Sequence, residues 1–564
     1  MTTTFDRRKF LVRSAGAAAG MFATGLDFKR QAAFAAGIPV DTIFTNARIW
    51  TGEGRRVFTD AIGIIDGRIA ALGLEAANSL ASARTRRINL EGALVTPGFT
   101  DCHVHFTLAS ATLGQPSLRD AADKAEFTRR IAEAARAMMP GQWLQGGNWD
   151  NDRWGGELPT RDWIDAVTPN TPVAVVRYDL HMVLLNSAAL KAIGIDDGIA
   201  DVPGGVVGRD ARGRLTGIFK DAAKDLVVGR IPTPRDAEID AANRKGIALG
   251  ISKGVTQVHE PGVSWETFHS ARRMRAAGGL DMRFYAMTPL KDWEKLAAVV
   301  AEEGRGDEFV RWGGCKVVFD GSLGSRTALF YKPYFDDPAT HGITVTDEAD
   351  MRNWAIQADK AGFQISAHAI GDEANDIVLD MLAATARTNG PRDRRSRIEH
   401  AQHLAPSAIG RFAEQNVIAS VQPFHAIDDG RWALRRIGEK RLETTYAFES
   451  LIASGAHVCF GSDWPVAPLD PLTGLKAAVL RETLDGANPD GWFPKQRVEI
   501  HDALLSYTRN AAYAGGSEAD TGTLAPGRLA DFVVWDEDLT TVDPDRLDQA
   551  KVMGTWLGGR KVFG

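Results

Sequence analysis

The chain has 564 residues, of which 44% are hydrophobic and 24% are charged, as is typical of soluble globular proteins. This composition excludes a disordered or fibrous protein, and the length exceeds the ~250 residues of a minimal barrel of alternating strands and helices. Lys and Arg total 66 against 72 Asp and Glu, so the net charge is −6. A basic surface for nucleic acid is therefore excluded, and a small molecule is the expected partner.

The N-terminal segment has the pattern of an export signal. Arg7-Arg8 precedes a weakly apolar run over 14–26, and Ala33-Phe34-Ala35 is a small-x-small cleavage site. An N-terminal membrane anchor is the alternative, but the run is shorter than the ~20 apolar residues that a spanning helix needs. We predict a twin-arginine signal peptide over residues 1–36, contact with the twin-arginine translocation machinery during export, and a periplasmic mature protein.

Strand-like runs at both ends of the chain predict one composite β domain. They occupy 41–46, 48–50, 61–65 and 68–72 near the start, and 530–535, 551–556 and 560–563 near the end. Asp66-Gly67 has the composition of a hairpin turn. We predict a small β-sandwich domain formed by residues 37–97 and 520–564.

The middle of the chain alternates strand-like and helical runs. The strand-like runs occupy 93–100, 255–259, 282–286, 315–319, 364–367, 397–399, 417–421 and 457–460. Apolar residues at helical spacing lie between them, as in 347–361, which ends before Gly362. Eight strands with intervening helices predict an α/β fold, namely a (β/α)8 TIM-like barrel over 98–519 with a large insertion at about 107–250.

Residues that bind metals stand at the ends of these predicted strands. His103 and His105 follow the first strand, and their side chains point the same way because side chains alternate along an extended chain. Active sites of barrels lie at the carboxyl ends of strands. The equivalent places on later strands hold Lys316, His368, His400 and Asp463. Such nitrogen and oxygen ligands suit Zn²⁺ or another divalent ion.

Other polar residues near these strand ends are candidate substrate contacts. Ser322 and Arg326 follow the fourth strand, although their glycine-rich turn also fits a purely structural role. His425 follows the seventh strand, where it either orients substrate or is a solvated loop residue. His259 and His181 are further candidates of the same kind.

Four sequence strings resemble a known family. They are KVVFDGSLGSRTA at 316–328, HAIGD at 368–372, RIEHAQ at 397–402 and GSDWPV at 461–466. With His103-x-His105 they resemble the metal-dependent amidohydrolase superfamily, and within it amidohydrolase family 3, the branch that contains N-substituted formamide deformylase. The similarity extends over almost the whole mature chain, including GTLAPGRLAD at 522–531.

The resemblance implies a ligand set and a reaction. His103, His105 and Asp463 would hold one divalent ion, His368 and His400 a second, and a Lys316 carboxylated by CO₂ would bridge them. Carboxylation would also remove the cost of a lysine cation inside an apolar strand. The implied reaction is hydrolysis of a non-peptide C–N bond, amide or formamide-like, in a small molecule. A metal-bound hydroxide attacks the carbonyl, and Asp463 passes its proton to the leaving nitrogen.

Two other functions remain open from the sequence. One is a metal-dependent deaminase on the same barrel, which Lys316 and the string at 368–372 disfavour. The other is an exported binding protein that has lost catalysis. The sequence also leaves open whether one or two ions bind and whether the chain forms a homodimer.

Overall fold

Eight parallel strands form the centre of the protein in a computed structural model that describes residues 39–113, 115–139 and 141–564. The predicted signal peptide over 1–36 lies outside the described residues. The strands are Phe99–Asp101, Val255–Pro261, Arg283–Pro289, Val310–Val318, Gln364–Ala369, Arg397–His400, Ile418–Val421 and Val458–Phe460, here called barrel strands one to eight. Each pairs with the next in parallel, and the Cys102 amide donates to the Phe460 carbonyl at 3.1 Å across the remaining seam. The predicted (β/α)8 barrel is confirmed.

Helices follow each barrel strand and cover the outside of the barrel. The principal ones are Asp236–Ser252, Trp265–Ala276, Trp293–Glu303, Glu348–Lys360, Asp372–Asn389, Ala408–Glu414, Phe448–Ala453, Pro471–Leu480, Ile500–Tyr507 and Arg509–Ala514. Three short helices, Pro423–Asp429, Ala433–Ile437 and Glu439–Leu442, lie in the connection after strand seven. In the described part of the chain, no helix combines the length and the apolar character needed to cross a bilayer.

The run predicted as one strand over 93–100 is two strands in the structure. Leu94–Pro97 pairs with Phe532–Trp535 in the β domain, whereas Phe99–Asp101 is barrel strand one. Gly98 joins them where the chain passes so close to Thr256 that a Cβ at Gly98 would lie 2.2 Å from the Thr256 hydroxyl oxygen. The division depends on this close approach between distant parts of the chain, which local pattern does not report.

Both ends of the chain build the β-sandwich. One sheet has the order Arg68–Leu72, Ile62–Ile65, Thr42–Thr45, Arg86–Asn89. The other has the order Arg560–Phe563, Val552–Leu557, Phe532–Trp535, Leu94–Pro97, Arg48–Trp50, Phe58–Thr59. Phe44 from the first sheet packs edge-to-face on Phe532 and Trp556 of the second, with ring centroids 5.0 and 5.5 Å apart. This shared apolar core holds the two sheets together.

The insertion after barrel strand one has a sheet of its own, which the sequence analysis did not predict. Its five strands have the order Gly205–Arg209, Leu215–Asp221, Met182–Leu185, Val173–Arg177, Leu144–Trp149. Its helices are Phe106–Thr112, Lys124–Arg136, Ser187–Ala192 and Ala222–Val228. The helix Asp236–Ser252, which falls inside the predicted insertion at 107–250, packs on barrel strand two and on the following barrel helix.

A buried ion pair connects the barrel to the β-sandwich. Arg283 of barrel strand three donates from Nε and Nη2 to the two carboxylate oxygens of Asp531, at 2.6 and 2.9 Å. Both side chains are almost fully buried. Asp531 also accepts the Gly558 amide at 2.7 Å, which ties the last strand pair of the sandwich to the same contact.

We expect Asp531→Ala to lower the free energy of unfolding by about 3–5 kcal/mol, because it leaves the Arg283 cation buried without a partner. Urea denaturation followed by circular dichroism measures this loss. The exposed pair between Arg560 and Asp281 is the matched control, and Asp281→Ala should change the same quantity by less than about 1 kcal/mol. Equal losses in the two variants would contradict the interpretation.

Candidate metal centre

The predicted metal ligands meet at the carboxyl end of the barrel strands. His103, His400 and Asp463 each offer a ligand atom, and these atoms all lie within 4.8 Å of one another. His105 Nε2 is 3.2 Å from Asp463 Oδ1, and the ring centroid of His368 is 4.5 Å from that of His400. Five predicted ligands from strands one, five, six and eight therefore form one buried or half-buried cluster.

Backbone conformation contributes to this convergence. His400 and Asp463 have φ values of 76° and 59°, in the left-handed region that residues with a Cβ rarely adopt. His400 is the last residue of barrel strand six, and Asp463 lies three residues after the end of strand eight, so the unusual φ redirects the chain at the cluster. Strained backbone of this kind concentrates at functional sites.

A buried carboxylate sets the orientation of His103. His103 Nδ1 lies 2.6 Å from Glu399 Oε2, and both side chains are fully buried. The ring therefore carries its proton on Nδ1, and Nε2 presents a bare lone pair toward Asp463. A metal-binding histidine commonly gives its other N–H to a carboxylate in this way.

Two acceptor atoms then face each other without a proton between them. His103 Nε2 lies 3.5 Å from Asp463 Oδ1, and among the described residues neither buried atom takes part in a well-directed hydrogen bond, although His105 Nε2 lies 3.2 Å from the same oxygen. Such an arrangement is unfavourable unless a cation sits between the two atoms. The residues present therefore fit a divalent ion ligated by imidazole and carboxylate.

Three histidines of the cluster, His103, His368 and His400, are held in the neutral form that metals require. Burial lowers the pKa of His103 to about 4, helped by the nearby Lys316 charge. Burial also lowers the pKa of His368 and of His400 well below the ordinary value. Burial by itself would raise the pKa of Asp463, but the contact of its Oδ1 atom with His105 helps to hold it well below its usual range. The cluster thus offers the neutral imidazoles of His103, His368 and His400 and an anionic carboxylate at neutral pH.

Lys316 is buried in barrel strand four, beside Ser366 of strand five in the register of the sheet. Burial lowers the pKa of its amine to about 8, although the negative charges of Glu399 and Asp463 oppose the shift. At pH 7 about a tenth of the amine is then uncharged, compared with far less than a hundredth for an ordinary lysine. The uncharged amine is the form that reacts with CO₂.

Glu399 is the central residue that the sequence analysis did not single out. It accepts from Ser366 Oγ at 2.7 Å and from Arg397 Nη2 at 3.1 Å, in addition to its contact with His103. Burial raises the pKa of a carboxylate, but Arg397 and His103 hold that of Glu399 well below its usual range. The sequence does contain an indication of its importance, because Glu399, like Lys316, is a charged residue within a buried strand.

A cavity of about 40 Å³ opens onto the cluster. Its wall combines barrel loops with residues 177–179 of the insertion and the candidate His181. Ser322 lines the cavity and donates to Asp179 Oδ2 at 2.6 Å. His425 also lines it, with Nε2 3.9 Å from Asp463 Oδ2 and, within the described chain, no hydrogen-bond partner. Of the three predicted substrate contacts, these two face the site.

The structure does not bring Arg326 or His259 to the cavity wall, as far as the described residues define it. Arg326 donates to both carboxylate oxygens of Asp336, at 3.2 and 2.9 Å. His259 is buried inside the barrel, with Nδ1 3.1 Å from Arg397 Nη1. Each is therefore accounted for by contacts within the protein.

The cavity wall also holds residues that the sequence analysis did not select. Trp432 lies in the connection after strand seven, and its buried indole N–H has no partner among the described residues. Asp179 comes from the insertion and binds Ser322 as well as the Arg177 guanidinium, the latter at 2.8 Å. Neither residue has a local pattern that marks it, because each reaches the site through the tertiary fold.

Comparison with known proteins agrees with this centre. A family model described as the amidohydrolase family matches residues 86–563. The chain is 38% identical to Protein LONG AFTER FAR-RED 3 of Arabidopsis thaliana, with 94% of this chain and 92% of that protein covered. It is 27% identical to N-substituted formamide deformylase of Arthrobacter pascens, with 92% and 97% covered. An uncharacterized metal-dependent hydrolase of Pyrococcus horikoshii has a similar structure, with a TM-score of 0.74, 27% identity, and 89% and 99% covered.

We expect Glu399→Gln to weaken zinc binding by about 10- to 100-fold, because the amide no longer holds the Nδ1 proton of His103 as a carboxylate does. Competition with a chromophoric chelator measures the affinity. Glu302→Gln, on an exposed face of a barrel helix, is the control and should bind zinc as the unchanged protein does. Unaltered affinity in Glu399→Gln would contradict the assigned role.

Proposed function

The chain belongs to the amidohydrolase family, and from this premise we propose that it hydrolyses a non-peptide C–N bond, amide or formamide-like, in a small molecule. The observation that best supports the proposal is the pair of unpartnered acceptors, His103 Nε2 and Asp463 Oδ1, 3.5 Å apart among the described residues. A divalent ion bound there supplies Lewis-acid polarisation and lowers the pKa of water.

The proposed ligands divide into two groups. His103, His105 and Asp463 would hold a first ion, and His368 and His400 would hold a second. Lys316, if carboxylated on its amine, would bridge the two groups and replace a buried cation with an anion. The lowered pKa of Lys316, about 8, supports this assignment because it makes the reactive amine available at neutral pH.

Asp463 and His425 have separate proposed tasks at the reacting carbonyl. Asp463 remains ionised at neutral pH, so it accepts a proton from water and returns it to the leaving nitrogen. His425 Nε2 lies 3.9 Å from Asp463 Oδ2 and faces the cavity, where it holds the carbonyl oxygen of the substrate. The small cavity and the relative named N-substituted formamide deformylase support N-formyl compounds as the first substrates to test.

The direct test is metal-dependent release of amine from a panel of N-formyl and N-acyl compounds. We expect the zinc-loaded protein to release amine, chelation to abolish the release, and added zinc to restore it. Tight binding of a compound that is never cleaved would instead support the alternative of a binding protein without catalysis. Release that persists after complete removal of metal would contradict the proposal.

We expect Lys316→Ala to lower kcat by at least about 100-fold and to reduce the zinc content of the purified protein, since the bridging ligand is lost. Metal analysis and steady-state kinetics measure the two effects. Lys476→Ala, on the outer helix Pro471–Leu480, is the control and should retain both properties. Full zinc content and full kcat in Lys316→Ala would rule out the bridging role.

A further inference from the structure

A second cavity, of about 220 Å³, lies at the opposite end of the barrel from the metal cluster. Gln364, the first residue of barrel strand five, lines it, whereas His368 of the same strand reaches the metal cluster. Four residues of strand span about 13 Å, so the two sites are separate. Five arginines line this cavity: Arg305, Arg311, Arg392, Arg394 and Arg395.

Three of these arginines are paired with carboxylates. Arg392 and Arg394 share Asp359, with nitrogen–oxygen distances of 2.5 and 3.0 Å. Arg395 contacts Asp393 at 2.8 Å and Glu518 at 2.6 Å. Among the described residues, the other two arginines of the cavity form no ion pair, although the carboxylates of Asp520 and Glu518 act on Arg311 from a greater distance.

These two arginines are Arg305 and Arg311. Arg305 Nη2 donates to the Gly362 carbonyl at 3.1 Å, and Arg311 Nη1 donates to the Gly516 carbonyl at 2.6 Å. In the described part of the chain, neither guanidinium forms an ion pair with a carboxylate. Burial lowers the pKa of Arg311, but a guanidinium remains protonated at neutral pH. Arg305 Nη1 also donates to the Gly313 carbonyl, and Arg311 Nη2 to the Gly515 carbonyl. Two of the five N–H donors of each guanidinium are thus used within the described protein, and three remain for a ligand.

The guanidinium of Arg305 passes close to the backbone at two glycines. A Cβ at Gly313 would lie 2.2 Å from Arg305 Nη1, so a larger residue there would displace the guanidinium from its present position. Gly362, whose carbonyl accepts from the same side chain, has a φ of 84°, which favours glycine.

We propose that this cavity binds a phosphate dianion, either free or as the phosphomonoester of a small molecule. Two guanidiniums without an ion pair match its two negative charges, and the N–H groups that remain on them suit phosphate oxygens. The cavity is larger than a single phosphate group, which leaves space for an organic part. The proposal is independent of the hydrolytic function, because none of the five arginines belongs to the metal cluster.

Isothermal titration calorimetry of the zinc-loaded full chain tests the proposal, with inorganic phosphate and glycerol 1-phosphate as the two probes. We expect saturable binding of at least one probe, with Kd raised at least tenfold in Arg305→Gln. Arg305 is exposed, so the variant should fold, and thermal unfolding checks this. The control variant is Arg56→Gln, at an exposed residue of the β-sandwich domain, and it should leave Kd unchanged. If phosphate binds at the zinc ions instead, its Kd should be the same in Arg305→Gln as in the unchanged protein. A Kd that rises in the variant therefore reports binding at the arginine cavity.

Arg392→Gln provides a second test, because it removes another positive charge from the same wall at an exposed position. We expect it also to raise Kd, by at least threefold. Tighter binding of glycerol 1-phosphate than of phosphate would identify a phosphomonoester as the ligand class, and the reverse order would identify free phosphate. Absence of saturable binding by both probes, or an unchanged Kd in both variants, would overturn the proposal.

Discussion

The ionised carboxylate of Glu399, buried inside the barrel, is the constraint on which the site depends. Removing such a charge from water costs several kcal/mol unless partners compensate it. Arg397, His103 and Ser366 provide that compensation from three different parts of the barrel wall. Arg397 also donates to the Cys102 carbonyl at 2.6 Å, so the same network holds the segment that carries the first histidines.

The chemistry of the centre follows from this compensation. Because ionised Glu399 accepts a hydrogen bond from the Nδ1–H group of His103, the proton stays on Nδ1 and the opposite nitrogen presents a lone pair toward Asp463. Burial keeps the imidazoles of His368 and His400 neutral, so these two side chains can bind a metal ion without losing a proton. The repulsion between the two acceptor atoms, His103 Nε2 and Asp463 Oδ1, lowers the stability of the metal-free fold. A divalent ion bound between them would remove that repulsion.

Local sequence pattern was sufficient for the barrel, the two-ended β-sandwich and the residues at the strand ends, because alternation and strand-end position follow from backbone geometry. Local pattern was insufficient where contacts between distant segments determine a strand boundary or bring a residue to the cavity. Gly98 divides one apolar run between two sheets because Thr256 approaches it, and Asp179 reaches the cavity only through the fold of the insertion. Glu399 was within reach of the same reasoning that selected Lys316, since both are charged residues in buried strands.

Anomalous diffraction at the zinc absorption edge, from crystals of the zinc-loaded chain, tests the central claim most directly. The account predicts a peak between His103 and Asp463, with zinc at about 2.0–2.1 Å from His103 Nε2. It also predicts that Glu399 remains on the Nδ1 side of His103 when the metal is bound. A zinc peak elsewhere in the molecule, with none at these atoms, would contradict the account.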